Sequence, residues 1–252
     1  MHPSLFISHC SPNTILYNFK TNANLRNLAK TLNKPKYIVM VSAHWCTNGL
    51  KVINPSAKKL MYDFYGFEKE LYEVKYEISS DESYTNNVLK ALEKFDAKIE
   101  YSQNSFDHGI WTVLHMMYKE LEVPVIQISL PMNFSNEKLY EIGVALQSIR
   151  NEAMIIASGS LTHNFGTMVR NSNQKDKNVL EFENLISNFL ENGFHKEIIN
   201  YELKNFRFMH PTDEHFKPIF VAMGSSINGV GQGFNDEIQH QSLSMKSFIF
   251  RN

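Results

Sequence analysis

Two cysteines, Cys10 and Cys46, are all that the chain contains, and they form no CxxC pair. So few exclude a disulfide scaffold, a zinc ribbon and a dithiol redox motif, and they fit a reducing, cytoplasmic setting. An excess of one charge is equally missing: 25 basic residues stand against 26 acidic ones, a formal net charge of -1. A chain so balanced presents no electrostatic footprint for nucleic acid or an anionic membrane surface, which leaves a small molecule as the expected partner. No stretch approaches the roughly 20 apolar residues that span a bilayer. The start MHPSLFISHC lacks a basic segment followed by a long apolar run, so neither export nor membrane embedding is expected. Internal repeats, low-complexity tracts and dividing Pro/Gly/Ser linkers are absent as well, and nothing in the charge pattern points to a protein partner.

What is present is a chain of 252 residues, 43% hydrophobic and 20% charged, long enough to bury a large core within one domain, 1–252. Short apolar runs recur, each closing on small or polar residues: SLFIS before HCSP, YIVMVSAH, VPVIQISL and AMIIASGSLTH. They read as buried strands. Between them NLRNLAKTLN, SYTNNVLKALEKF, GIWTVLHMMYKEL, NEKLYEIGVALQSIR and NVLEFENLISNFLENG repeat their apolar residues three or four apart, the helical period. The alternation predicts a single α/β domain with a mostly parallel central sheet flanked by helices. The closing SLSMKSFIF reads as a last strand, placed at a sheet edge.

Three of these strands run into histidine: His9 after SLFIS, His44 after YIVMVSA, and His163 just past AMIIASGSLT. Ligands of open α/β sheets bind beyond the carboxyl ends of the strands, where side chains converge on one crevice, and imidazole is the commonest metal ligand. The coincidence predicts a metal site there. The segment HPTDEHFKP brings His210, Asp213, Glu214 and His215 before an apolar helix. Two histidines with one carboxylate form the facial set typical of non-heme Fe(II) oxygenases, whereas three or four imidazoles suit zinc as well. On a helix Glu214 and His215 would diverge by about 100°, so one of them would face the metal. Thr212 or Asp213 could also simply cap that helix. In NSFDHGIWTVL, Asp107 is expected to cap a helix that begins at His108. His108 then either packs or faces the crevice as a proton carrier or substrate donor. YDFYGF, residues 62–67, gathers aromatics around Asp63 and Gly66 in a loop suited to cover a core or to wall a flat ring.

Taken in order, SHCSP, VSAHW, YDFYGF, the DHGIW element, SGSLTHN and EHFKP resemble the motifs of the class III extradiol ring-cleavage dioxygenases. The branch with bacterial 4,5-DOPA dioxygenase-like proteins is the most similar, and the match runs nearly end to end. The resemblance implies one divalent metal ion per chain, Fe(II) for dioxygenase chemistry or Zn(II) as bound. It implies metal binding by His9, His44, His163 and His215, with Glu214 as the alternative in the EHFKP segment. Catalysis is implied for His163 and His108, and substrate binding for Asp63, Tyr65, His108 and Trp111. The substrates implied are a small aromatic diol and O2, with oxygen inserted next to the diol. Three departures stand out: Cys10 replaces a glycine, Glu68 a proline after YDFYGF, and Val113 a proline after DHGxW. A zinc hydrolase with His163 or Glu214 as base, or a non-catalytic metal-binding protein, are the alternative readings of the same residues.

Overall fold

Period-two alternation of apolar residues decides which way each strand faces. In a computed structural model, which describes residues 1–170, 172, 174–200, 203 and 205–251, Phe6, Tyr37, Val39, Val41, Ile126, Ile128, Ile155 and Ala157 all join one buried cluster. Their neighbours Leu5, Ile7, Ile38, Met40, Val125, Met154 and Ile156 join another on the opposite face. A sheet apolar on both faces must be covered on both, which is why the strands read as continuous hydrophobic runs.

The strands of this sheet are β1 (Ser4–Ser8), β2 (Tyr37–Thr47), β3 (Lys51–Ile53), β4 (Lys98–Glu100), β5 (Val125–Pro131), β6 (Ala153–Gly159), β7 (Gly231–Phe234) and β8 (Ser247–Phe250). They lie in the order β4-β3-β5-β2-β6-β1-β8-β7. The centre, β5-β2-β6-β1, is parallel throughout, while β8 and β7 add antiparallel to β1. One face is covered by α1 (Lys20–Thr31) and α3 (His108–Met117), the other by α2 (Glu82–Ala91), α4 (Asn136–Leu146), α5 (Lys177–Glu191) and α6 (Pro218–Ser225). This is the α/β architecture expected of the sequence. No helix among the described residues is long and apolar enough to cross a membrane.

Two expectations change. The closing strand β8 lies inside the sheet, paired with β1 on one side and β7 on the other, and the edge belongs to β7. Its sequence GQGF carries two glycines, which strands disfavour, so it gives no strand signal of its own. Asp107 holds the N-cap position of α3, yet its side chain caps nothing. Its carboxylate turns inward, accepting from Ser42 Oγ (2.7 Å) and from Gln127 Nε2.

Ser8 pairs with Gly159 and Ser42 with Ser158, so His9, just past β1, and His44 flank the end of β6 from its two sides; His44, expected after its strand, lies inside β2, which continues to Thr47 against β5. The register of β2 against β5 shifts between Val41 and Cys46, a bulge that re-aims His44 out of the strict pleat.

Candidate metal centre

His9 continues β1 by donating its main-chain N–H to the Gly159 carbonyl (2.9 Å), and its ring is buried. Ser158 Oγ donates its single hydrogen to the Gly109 carbonyl (2.6 Å), so at 2.8 Å from His9 Nδ1 it can only accept. His9 therefore carries its proton on Nδ1 and turns the Nε2 lone pair outward. His215 is fixed the same way: Nδ1 lies 3.0 Å from Glu214 Oε1, which leaves Nε2 free. His44 Nδ1 faces Asp63 Oδ2 at 3.9 Å, and its Nε2 lies 3.0 Å from His9 Nε2. At that distance either a proton on one ring is shared with the other or a cation stands in its place, because two bare lone pairs would repel. An oxygen behind Nδ1, as His9 and His215 have, is the usual support of a metal-binding histidine, and the Asp63 carboxylate stands behind His44 without a direct hydrogen bond.

Ring spacing separates ligand candidates from bystanders. Two imidazoles bound to one ion, each nitrogen about 2.1 Å from it and the bonds roughly 90–110° apart, have ring centres about 4.5–5.3 Å apart. His9 and His44 are 5.0 Å apart and His44 and His215 4.9 Å, inside that range, while His9 and His215 at 5.4 Å stand just beyond it. His108 lies 3.9 Å from His44, too close for the pair to share an ion in that geometry, and 5.8 Å from His9. His163 stacks on His215 at 3.5 Å with only 10° between the planes, and parallel rings cannot converge on one point. Nitrogen atoms of His9, His44 and His108 nevertheless come within 4.8 Å of one another, as do ligand atoms of His163, Glu214 and His215. Neither group contains a cysteine.

Electrostatics agree with neutral imidazoles. Burial holds His9 and His215 well below the ordinary histidine value, with repulsion from the neighbouring rings adding to it. Burial together with His108 lowers His44 to about 3. Burial lowers His163 to about 4, although Glu214 pulls the other way. Each is an unprotonated base at neutral pH, the state in which imidazole binds metal or accepts a proton.

Glycines admit this crowding at two positions. A Cβ on Gly109 would lie 2.4 Å from Ser42 Oγ and 3.0 Å from the His44 ring; on Gly159 it would lie 2.2 Å from the His215 carbonyl. That carbonyl accepts from Ser160 N (2.8 Å), pinning the HPTDEH turn to the end of β6. The same turn is held by His210, which donates Nε2–H to the Leu161 carbonyl, while His163 N donates to the Met209 carbonyl. Asp213 pairs with Lys217 at 3.5 Å, and no side chain caps α6.

The remaining expected residues divide. His108 is buried beside the cluster, with Nδ1 3.0 Å from Asp63 Oδ1. Trp111, expected to touch substrate, is 0% exposed in the core, and its indole N–H donates to the Met61 carbonyl (2.9 Å). The indole supports the aromatic loop from beneath because a large ring with one polar atom is best satisfied inside against a carbonyl. Tyr65, also expected at the substrate, is 92% exposed and turned to solvent. The aromatic of that loop nearest the cluster is Phe64, edge-on to His108 at 5.5 Å. Cys10 is buried with Leu243 and Met245 at φ +51, a backbone region that favours the glycine of the resembled motif, and burial pushes its thiol up to about 12. Ser158 as the support of His9 was not foreseen, the SGS of SGSLTHN being its only visible trace, and Glu214, expected as an alternative ligand or base, instead lies behind His215.

Residues 2–247 match the family of the catalytic LigB subunit of aromatic ring-opening dioxygenases, and the chain belongs to that family. It is an oxidoreductase of the dioxygenase class. Its relatives include the 4,5-DOPA dioxygenase extradiol of Beta vulgaris, 32% identical over 247 residues, covering 95% of this chain and 91% of that one. That of Escherichia coli K12 is 28% identical over 232 residues, covering 88% and 84%. The crystal structure of an uncharacterized protein from Escherichia coli K12 superposes with a TM-score of 0.83 at 25% identity, over 100% of both chains.

Proposed function

We propose that the protein is an extradiol dioxygenase that opens a catechol-type ring, residues 1–252 acting as one catalytic domain around one divalent metal ion. The observation that carries this reading is the clustering of three buried, neutral imidazoles, His9, His44 and His215, with ring centres 5.0, 5.4 and 4.9 Å apart. Fe(II) bound there supplies the Lewis acidity and redox chemistry that a diol and O2 need in order to react.

The chain's own groups do the rest. His163, neutral through burial and stacked on His215, is the base that would accept a phenolic proton from a bound diol. His108 presents Nε2 to the same space, since its Nδ1 is engaged with Asp63. Phe64 offers an aromatic edge beside it as a wall for a flat ring. Oxygen adds next to the diol, both of its atoms enter the product, and the ring bond there breaks to give a semialdehyde.

Loading the protein with Fe(II) without oxygen, then admitting air over a panel of catechols, should give oxygen uptake and the yellow absorbance of a ring-opened semialdehyde. Absence of uptake with every catechol, in protein shown to hold Fe(II), refutes the assignment.

A further inference from the structure

Asp63 lies on none of the strands that carry the histidines, yet its carboxylate reaches two of them. Oδ1 accepts the main-chain N–H of His108 (2.9 Å) and lies 3.0 Å from the same residue's Nδ1, while Oδ2 stands 3.9 Å from His44 Nδ1. One carboxylate thus caps α3 in place of Asp107, sets the tautomer of His108 and stands behind His44. The side chain is 21% exposed; burial raises its carboxyl, but the side-chain and main-chain hydrogen bonds from His108 together with the attraction of His108 and His44 hold it below the ordinary aspartate range.

The loop that carries Asp63 is tied at intervals. Met61 N donates to the Phe106 carbonyl (2.8 Å), Trp111 Nε1 donates to the Met61 carbonyl, and Tyr62 OH donates to the Val74 carbonyl (2.7 Å). Beyond Asp63, the Glu68 carboxylate accepts from Asn13 Nδ2 (3.1 and 3.2 Å) and from Tyr17 OH, both on the segment that follows His9. Where relatives were expected to stiffen this point with proline, this chain ties it with a side chain. Such anchoring leaves Asp63 little freedom to swing toward a substrate.

We propose that Asp63 is a positioning residue of the metal centre, orienting His108 and supporting His44 from behind, rather than a substrate contact. The inference rests on the metal reading above. A carboxylate behind a ligating imidazole fixes its ring and raises its basicity, and losing such a partner typically weakens metal binding by about 10- to 100-fold.

Co(II) serves as the probe, its affinity measured by chelator competition in wild-type protein, Asp63→Asn and Asp63→Ala, beside the melting temperature of each metal-free form. The wild type should bind one Co(II) per chain; failure of that step refutes the metal reading itself, and the proposal with it. With that established, Asp63→Ala should lose about 10- to 100-fold in Co(II) affinity and change the visible Co(II) spectrum. Asp63→Asn keeps an acceptor for His108 and should recover part of the loss, with both metal-free melting temperatures within a few degrees of wild type. Unchanged Co(II) affinity with only a raised KM for catechol would overturn the proposal in favour of substrate binding. A metal-free melting temperature that drops in both variants together with affinity would overturn it in favour of a general structural role.

Discussion

A hydroxyl has one hydrogen, and in Ser158 the Gly109 carbonyl takes it, so the tautomer of His9 depends on one serine. Ser158→Ala is expected to release His9 Nδ1 and weaken metal binding by about 10- to 100-fold, measured by chelator competition, with little change in the metal-free melting temperature. His163 stands on the other side of the chemistry: its backbone is fixed to Met209 and its ring lies against His215 without sharing its aim. His163→Gln should keep metal affinity within a few-fold of wild type and lower kcat by about 100- to 10,000-fold, the contribution usual for a general base. Equal loss of both in a metal titration and a steady-state assay would instead make it a ligand. The residue scale is also where sequence reading was least complete. The sequence singles out His9, His44 and His163 because a histidine closing an apolar run has little reason to pack, and the structure brings all three beside His215, His44 from within β2. Trp111 and Phe64 are not legible in this way, because an aromatic near a site serves as core or as wall, and only the direction of its ring decides.

At the scale of elements, the loop 61–67 and α3 form one unit joined by Trp111. The indole fills the core among Tyr62 and Phe64 and holds the Met61 carbonyl, so its removal leaves both a cavity and an unpaired acceptor. Trp111→Ala should cost about 3–5 kcal/mol in a denaturant titration, and Trp111→Phe distinctly less; equal, small effects would place the side chain outside the core. The closing strand makes a second case. Since β8 separates β1 from β7, deletion of 247–252 would strip β1 of a hydrogen-bonded neighbour and expose Phe6 beside it. The truncated chain is expected to be recovered only in aggregated form, whereas an edge strand would have been dispensable. Four central strands and the flanking helices are readable from periods of 2 and 3.6. The edge strand β7 is not, because its glycines take strand geometry only through pairing with β8.

At the scale of the whole molecule, the site concentrates buried, uncharged imidazoles. His9 and His215 lie well below the ordinary value, His44 near 3, and His163 and His210 near 4, burial being the largest cause in each. The unfolded chain binds protons at these residues from pH ~6.5 downward while the metal-free native state does not, so stability falls as pH drops from ~6.5 toward ~4. Asp107, which burial and Asp63 raise to about 6, and Glu183, which burial also raises, work in the opposite direction, but they are two groups against five. The melting temperature of metal-free protein should therefore be steady above pH ~7 and fall steeply between pH ~6.5 and ~5; a flat profile there would contradict buried neutral histidines. The sheet itself carries this arrangement, because the register of β1 and β2 on either side of β6 sets the rings within reach of one another. The most direct test is X-ray absorption at the metal edge of protein loaded with one Fe(II) per chain. The account predicts three imidazole nitrogens at about 2.1 Å and no sulfur, with one imidazole lost in His215→Ala. A sulfur ligand, or a coordination unchanged by that substitution, would contradict it.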